Sequence, residues 1–169
     1  MAARLILASA SPRRAELLRR SGYRFEILAP PYEEPRIARS PVAPCQHAEA
    51  ASYFKARSVA QALRSGLALA ADTLVAFRDR IFGKPIDAED ARRILLTLAG
   101  TTHSVITGVT LFDAETGRRL ISHDVTHVTM RPMPPAAMDD YIAGGDWRGK
   151  AGAYGIQDHG DAFVERIDG

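Results

Sequence analysis

The sequence predicts a single mixed α/β domain over residues 1–169, with a twisted mixed sheet flanked by helices. Strand-length apolar runs alternate with helical periodicities along the whole chain. The 169 residues are 46% hydrophobic and 25% charged, enough to bury a core and too apolar for a disordered or fibrous chain. No internal repeat, linker or low-complexity segment divides them.

Leu5 to Ala8 is a short buried strand, and Ser11-Pro12 opens a helix with Ser as N-cap and Pro at the first helical position. That helix carries Ala15, Leu17 and Leu18 and stops at Gly22. Phe25 and Ile27 alternate with Arg24 and Glu26 as a second strand, followed by a proline-punctuated loop from Pro30 to Pro44 that carries Glu33, Glu34 and Arg36. From His47 to Ser65, Ala51, Val59, Ala62 and Leu63 stand at helical spacing, with Gly66 as a stop and Lys55 on the helix.

Leu67 to Ala71 is a continuous apolar run ending in Asp72-Thr73, and Leu74 to Phe77 continue it, so an acid interrupts a buried strand. Arg78-Asp79-Arg80 turns the chain and Gly83-Lys84-Pro85 is a loop. Asp87 caps a helix whose Ala91, Ile94, Leu95 and Leu98 fall at i, i+3, i+4 and i+7 before Gly100. Val105–Phe112 and Leu120–Met130, joined by a turn at Ala114 to Gly117, read as an antiparallel pair. A short helix at Pro134–Ile142, a glycine-rich stretch from Gly144 to Gly160 and a strand at Ala162–Ile167 close the chain.

Twenty-two Lys and Arg against 20 Asp and Glu give a formal charge of +2, too near neutral for long-range attraction to nucleic acid or anionic lipid. Aromatics at 7% are too few for a base-stacking platform. The one cysteine, Cys45, has no partner for a disulfide and no zinc-spaced neighbours, which fits a reducing cytoplasm. Leu5 to Ala8 is shorter than the hydrophobic region of a signal peptide, and Arg13 and Arg14 follow it; no window is apolar enough to span a membrane.

Ala8-Ser9-Ala10-Ser11-Pro12-Arg13-Arg14 is the strongest local feature. A helix N-terminus, small serines and two guanidiniums suit a phosphate, although a capped surface helix with solvated arginines accounts for the same residues. Asp72, a carboxylate that ends an apolar run, is costly to bury alone, so it is a capping acid, a catalytic group or a metal ligand. Lys55, Lys84, Lys150, Glu33 and Glu34 carry no signal singly. Gly83-Lys84-Pro85 is not a Walker loop. Gly149 to Gln157 holds three glycines in seven residues from Gly149 to Gly155, and Gln157 offers an amide able to read a base edge; a plain turn is the alternative. His47, His103, His123, His127 and His159 form no metal-binding pattern and read as structural. Ser9 and Ser11 lack the surroundings of a nucleophilic serine.

Taken in order, Leu7 to Arg14 with Glu16-Leu17-Leu18, Lys55-Ala56, Ala71-Asp72-Thr73-Leu74-Val75, Gly83-Lys84-Pro85, His103 to Val109 and Gly149 to Gln157 resemble the motifs of the Maf family of nucleoside triphosphate pyrophosphatases. The resemblance runs from Leu5 to about Ile167. It implies an inosine-triphosphate-pyrophosphatase-like fold with a central ligand cleft, a divalent cation (Mg²⁺ or Mn²⁺), a cytoplasmic location and a homodimer. It further implies that Ser9, Arg13, Arg14, Lys55 and Lys84 hold the triphosphate, that Asp72 accepts the proton or is mainly a metal ligand, and that Glu34 helps bind the metal. Asp-Thr at the strand and Ala-Tyr-Gly-Ile-Gln later resemble the dTTP/UTP branch, not the 7-methyl-GTP branch. The positions matching its specificity sites are Arg13, Thr73 and Gln157.

Asp158 stands where the family commonly has glycine, and the family's Ser-x-x-Asn-Val-Val-Gly-Leu-Pro-like tail is not in these 169 residues. A nucleotide-binding regulator without catalysis, as the family's link to septum formation implies, is the competing function; a nucleic-acid-binding module is disfavoured by charge and aromatic content.

Overall fold

The computed structural model describes residues 4–31, 42–156 and 159–169. The described chain is a mixed α/β structure whose strands follow the order β2-β1-β3-β5-β6-β7, with β4 paired to β3. These are β1 (Leu5–Leu7), β2 (Glu26–Ile27), β3 (Leu67–Phe77), β4 (Arg80–Phe82), β5 (Thr102–Asp113), β6 (Arg119–Met130) and β7 (Val164–Asp168). The α-helices are α1 (Pro12–Arg20), α2 (Pro44–Ala60), α3 (Ala88–Leu98) and α4 (Pro135–Gly144). β1 pairs in parallel with both β2 and β3, whereas β3 with β4 and β6 with β7 are antiparallel.

Two compact units share the strands β3, β5 and β6. One holds the described residues up to 35 with Cys45–Asp72 and Thr107–His123; the other holds the described residues of 36–44, Thr73–Ile106 and the described residues from Asp124 on. Each has its own core. In the first, Ile6 and Ala8 of the β1 end and Ala68 and Ala70 of β3 pack with Ala56, Val59 and Ala60 of α2. In the second, α3 buries Ala91, Ile94, Leu95 and Leu98 with Val75, Phe82, Val128, Met130, Met138, Tyr141 and Trp147. The predicted i, i+3, i+4, i+7 face of α3 is the buried one, and Asp87 caps it by accepting from the Asp90 N–H at 2.7 Å.

Several local expectations are corrected. α2 begins at Pro44 and ends at Ala60, so Ala62 is exposed beyond its end; its buried face runs through Ala48, Ser52, Lys55, Ala56 and Val59. Ser11 makes no side-chain cap; its own backbone N–H donates to Ser9 Oγ at 3.2 Å. β3 passes through Asp72 without interruption, since the β-branched Thr73 and Val75 keep the backbone extended. The Arg78 turn, at φ 55°, feeds a short strand, β4, that three residues of unremarkable pattern do not announce. The glycine-rich stretch contains a 3-10 turn at Ala151–Ala153, and another at His159–Phe163 precedes the last strand.

Candidate active site

Alternation along β3 puts Asp72 on the same face as Ala68 and Ala70, both fully buried, and leaves Ala71 and Thr73 half-buried between. Asp72 is therefore an acid within a buried face, 7% exposed. The cation that offsets its burial comes from α2. Lys55 shares the helical face of Ala48, Ser52 and Val59, is itself 7% exposed, and sets Nζ 2.5 Å from Asp72 Oδ1. Two ions buried together at hydrogen-bond distance compensate each other, as neither could alone.

Two features hold α2 close enough for that contact. A Cβ built on Gly108 of β5 would lie 2.2 Å from the Ala48 carbonyl carbon, so only glycine lets the helix backbone approach here. Four residues along, Ser52 Oγ lies 2.8 Å from Thr110 Oγ1 and donates toward the Glu49 carbonyl at the same distance; both side chains are fully buried.

The end of β1 supplies the second half of the cluster. Leu7 is in register with Leu69, and the Ala8 N–H continues the ladder to the Leu69 carbonyl at 2.7 Å, which brings Ser9 level with the Ala71-Asp72 step. Ser9 is 5% exposed. Arg14, in the first turn of α1, donates from Nη1 to the Ala71 carbonyl at 2.6 Å and comes within 3.5 Å of Ser9 Oγ. Arg13 on the same turn is exposed. The structure thus brings together Ser9, Arg14, Lys55 and Asp72, with the α1 N-terminus and its partial positive charge beside them. Part of the donor capacity of Arg14 is committed to the fold, a use that the sequence does not announce because its acceptor is a backbone oxygen.

Thr73 follows Asp72 on β3, and Lys84 is exposed in the loop between β4 and α3; both belong to the second unit. Glu34, Gln157 and Asp158 lie outside the described residues. Among the described residues no group of three or more His, Cys, Asp or Glu could hold a metal ion, and no helix is long and apolar enough to cross a membrane.

The second unit holds a buried polar pair. His103 Nε2 of β5 lies 2.6 Å from Tyr154 Oη, with the rings edge to face at 5.5 Å between centroids. Burial lowers the His103 pKa from 6.5 to about 4, so the imidazole is neutral at neutral pH, and burial raises that of Tyr154. The two histidines of β6 are engaged at the surface: His123 Nδ1 with Glu49 at 2.7 Å and His127 Nδ1 with Ser104 Oγ at 3.2 Å.

A family model described as Maf-like protein matches residues 4–169. A protein named dTTP/UTP pyrophosphatase from Ruminiclostridium cellulolyticum is 42% identical over 165 residues, covering 98% of this chain and 85% of the relative. One of the same name from Gloeobacter violaceus is 43% identical over 169 residues, covering all of this chain and 87% of the relative. Among solved structures, a nucleoside-triphosphatase / dITP/XTP pyrophosphatase from Mycobacterium abscessus superposes with a TM-score of 0.51 at 18% identity, over 78% of this chain and 76% of that one; the likeness is one of fold. With a family match over nearly its whole length and relatives above 40% identity, this chain belongs to the Maf family.

Proposed function

We propose that residues 1–169 work as one nucleotide pyrophosphatase domain that hydrolyses dTTP and UTP to the nucleoside monophosphate and pyrophosphate. The observation that carries the site assignment is the buried Lys55–Asp72 pair beside the N-terminus of α1. The relatives named dTTP/UTP pyrophosphatase support the substrate class.

Water oxygen attacks the α-phosphorus, the bond from that phosphorus to the bridging oxygen breaks, pyrophosphate leaves with the bond's electron pair, and the water proton passes to Asp72. Lys55 holds the Asp72 carboxylate through Oδ1, which orients it for the water. Lys55 is assigned to a phosphate oxygen as well as to Asp72. Arg13, Arg14, Lys84 and the Ser9 hydroxyl hold the triphosphate, and the positive charges of the three basic residues stabilise the charge that develops on the phosphoryl oxygens.

A hard divalent cation such as Mg²⁺ or Mn²⁺ takes oxygen ligands and is commonly held by one or two carboxylates together with substrate phosphates. Asp72 and Glu34 are the carboxylates assigned to it. When bound, the cation neutralises phosphate charge. Arg13, Thr73 and Gln157 are assigned to nucleotide specificity; a glutamine amide offers a donor and an acceptor that match the O4 and N3–H edge thymine and uracil share. We further infer a cytoplasmic homodimer.

Pyrophosphate release from a panel of nucleoside triphosphates, with and without Mg²⁺ or Mn²⁺, tests this function. Preferential release from dTTP and UTP supports it. No release from any of them would leave a nucleotide-binding regulator.

A further inference from the structure

In the second unit, three hydrogen bonds converge on one short segment in an unusual backbone state. Gly152 and Ala153 are both left-handed, at φ 72° and 64°. For Ala153 that conformation is disfavoured, so its surroundings must impose it. The Gly152 N–H donates to the Gly83 carbonyl at 3.0 Å, the Tyr141 hydroxyl donates to the Ala153 carbonyl at 3.2 Å, and Tyr154 Oη meets His103 Nε2 at 2.6 Å. The first of these ties the segment to the residue just before Lys84. A Cβ on Gly152 would lie 2.7 Å from Val75 and 3.2 Å from the Tyr154 ring, so the turn is packed against β3 and against its own tyrosine.

His103 is an expensive way to fill that space. It is 2% exposed, and its Nδ1 is buried with no hydrogen-bond partner among the described residues. One polar atom left unmade offsets much of what the other contributes, so a phenylalanine would serve packing alone at least as well. What phenylalanine cannot supply is a fixed polar anchor for Tyr154 Oη.

We propose that His103 is a positioning residue: through Tyr154 it holds the left-handed Gly152-Ala153 turn against the Gly83 carbonyl and so sets the loop that presents Lys84 to the triphosphate. Its kinetic consequence rests on the pyrophosphatase function proposed above, whereas its structural consequence does not.

The test uses the full chain and three variants, Tyr154→Phe, His103→Phe and His103→Gln. Gln keeps a donor and acceptor amide near the place of Nε2, and the two Phe variants keep the volume and remove the bond. Amide hydrogen exchange is expected to speed up by about 10-fold at Gly152 and Ala153 in both Phe variants, with α3 unchanged, and to stay near the native rate in His103→Gln. With UTP, KM is expected to rise about 5- to 20-fold in the Phe variants, kcat to stay within about twofold, and the double Phe variant to be no worse than either single one. Unchanged exchange at Gly152, or a uniform increase that includes α3, would overturn the proposal whether or not the chain turns over UTP. A fall in kcat at constant KM would overturn it too. If the native chain releases no pyrophosphate, the function fails and the exchange pattern alone decides the role of His103.

Discussion

Lys55 Nζ and Asp72 Oδ1 stand 2.5 Å apart with about nine-tenths of both side chains buried, one brought by a helix and the other by a parallel-paired strand. Each charge offsets part of the cost of burying the other. Lys55→Met is therefore expected to destabilise the fold by about 3 kcal/mol, because it removes a compensating cation from a buried carboxylate. Asp72→Asn keeps an oxygen for the ammonium and should cost less. Urea denaturation of both variants checks the order; a Lys55→Met cost under about 1 kcal/mol would mean that water reaches the pair freely.

Arg13 and Arg14, adjacent in sequence, are expected to separate in their effects. Arg14 is tied to the Ala71 carbonyl, so Arg14→Ala should lower stability by about 1–3 kcal/mol. Arg13 is exposed, and Arg13→Ala should change stability by no more than about 0.5 kcal/mol while weakening UTP binding far more than uridine binding. Calorimetric titration with both ligands decides it, and equal losses for uridine and UTP would remove Arg13 from the phosphate site.

Much of the fold was legible because it depends on local signals. The α3 face and its Asp87 cap follow from spacing and side-chain chemistry, as do the long strands β5 and β6. The Lys55–Asp72 pair was not. Asp72 stands out in an apolar run, yet of the expected α2 positions Val59 alone lies on the helix's buried face, with Leu63 packed against the same core beyond the helix end, while Ala51 is half-buried and Ala62 exposed; small residues at Ala48 and Ser52 complete the observed face. Only tertiary approach at Gly108 makes that face the buried one. Arg14 to Ala71 and His103 to Tyr154 are likewise long-range contacts with no sequence spacing to reveal them.

Acid should act on the His103 site with a definite sign. The imidazole titrates near 6.5 when unfolded and about 4 when folded. Between those values the unfolded chain binds a proton that the folded chain lacks, so this group's contribution to stability is lost as pH falls from 6.5 toward 4, by roughly 3 kcal/mol at most. His103→Gln should remove that part of the slope. Denaturant midpoints of the native chain and the variant across this range check it; parallel curves would contradict the assignment.

Two glycines are expected to resist alanine for different reasons. Gly108→Ala drives a methyl into the α2 backbone at Ala48 and should cost about 3 kcal/mol or more, displacing Lys55 from Asp72. Gly152→Ala combines a left-handed backbone with a close approach to Val75 and should cost about 2 kcal/mol. Thermal unfolding of each variant measures this, and a loss under about 0.5 kcal/mol at either position would show that the neighbouring backbone yields readily.

The most direct test of the central claim is ³¹P NMR of the products formed from UTP by the native chain and by Asp72→Asn. The expected result is UMP and pyrophosphate from the native chain, with turnover in the folded variant lower by at least about 10²-fold. UDP and orthophosphate as products, or near-native turnover by a folded Asp72→Asn, would contradict it.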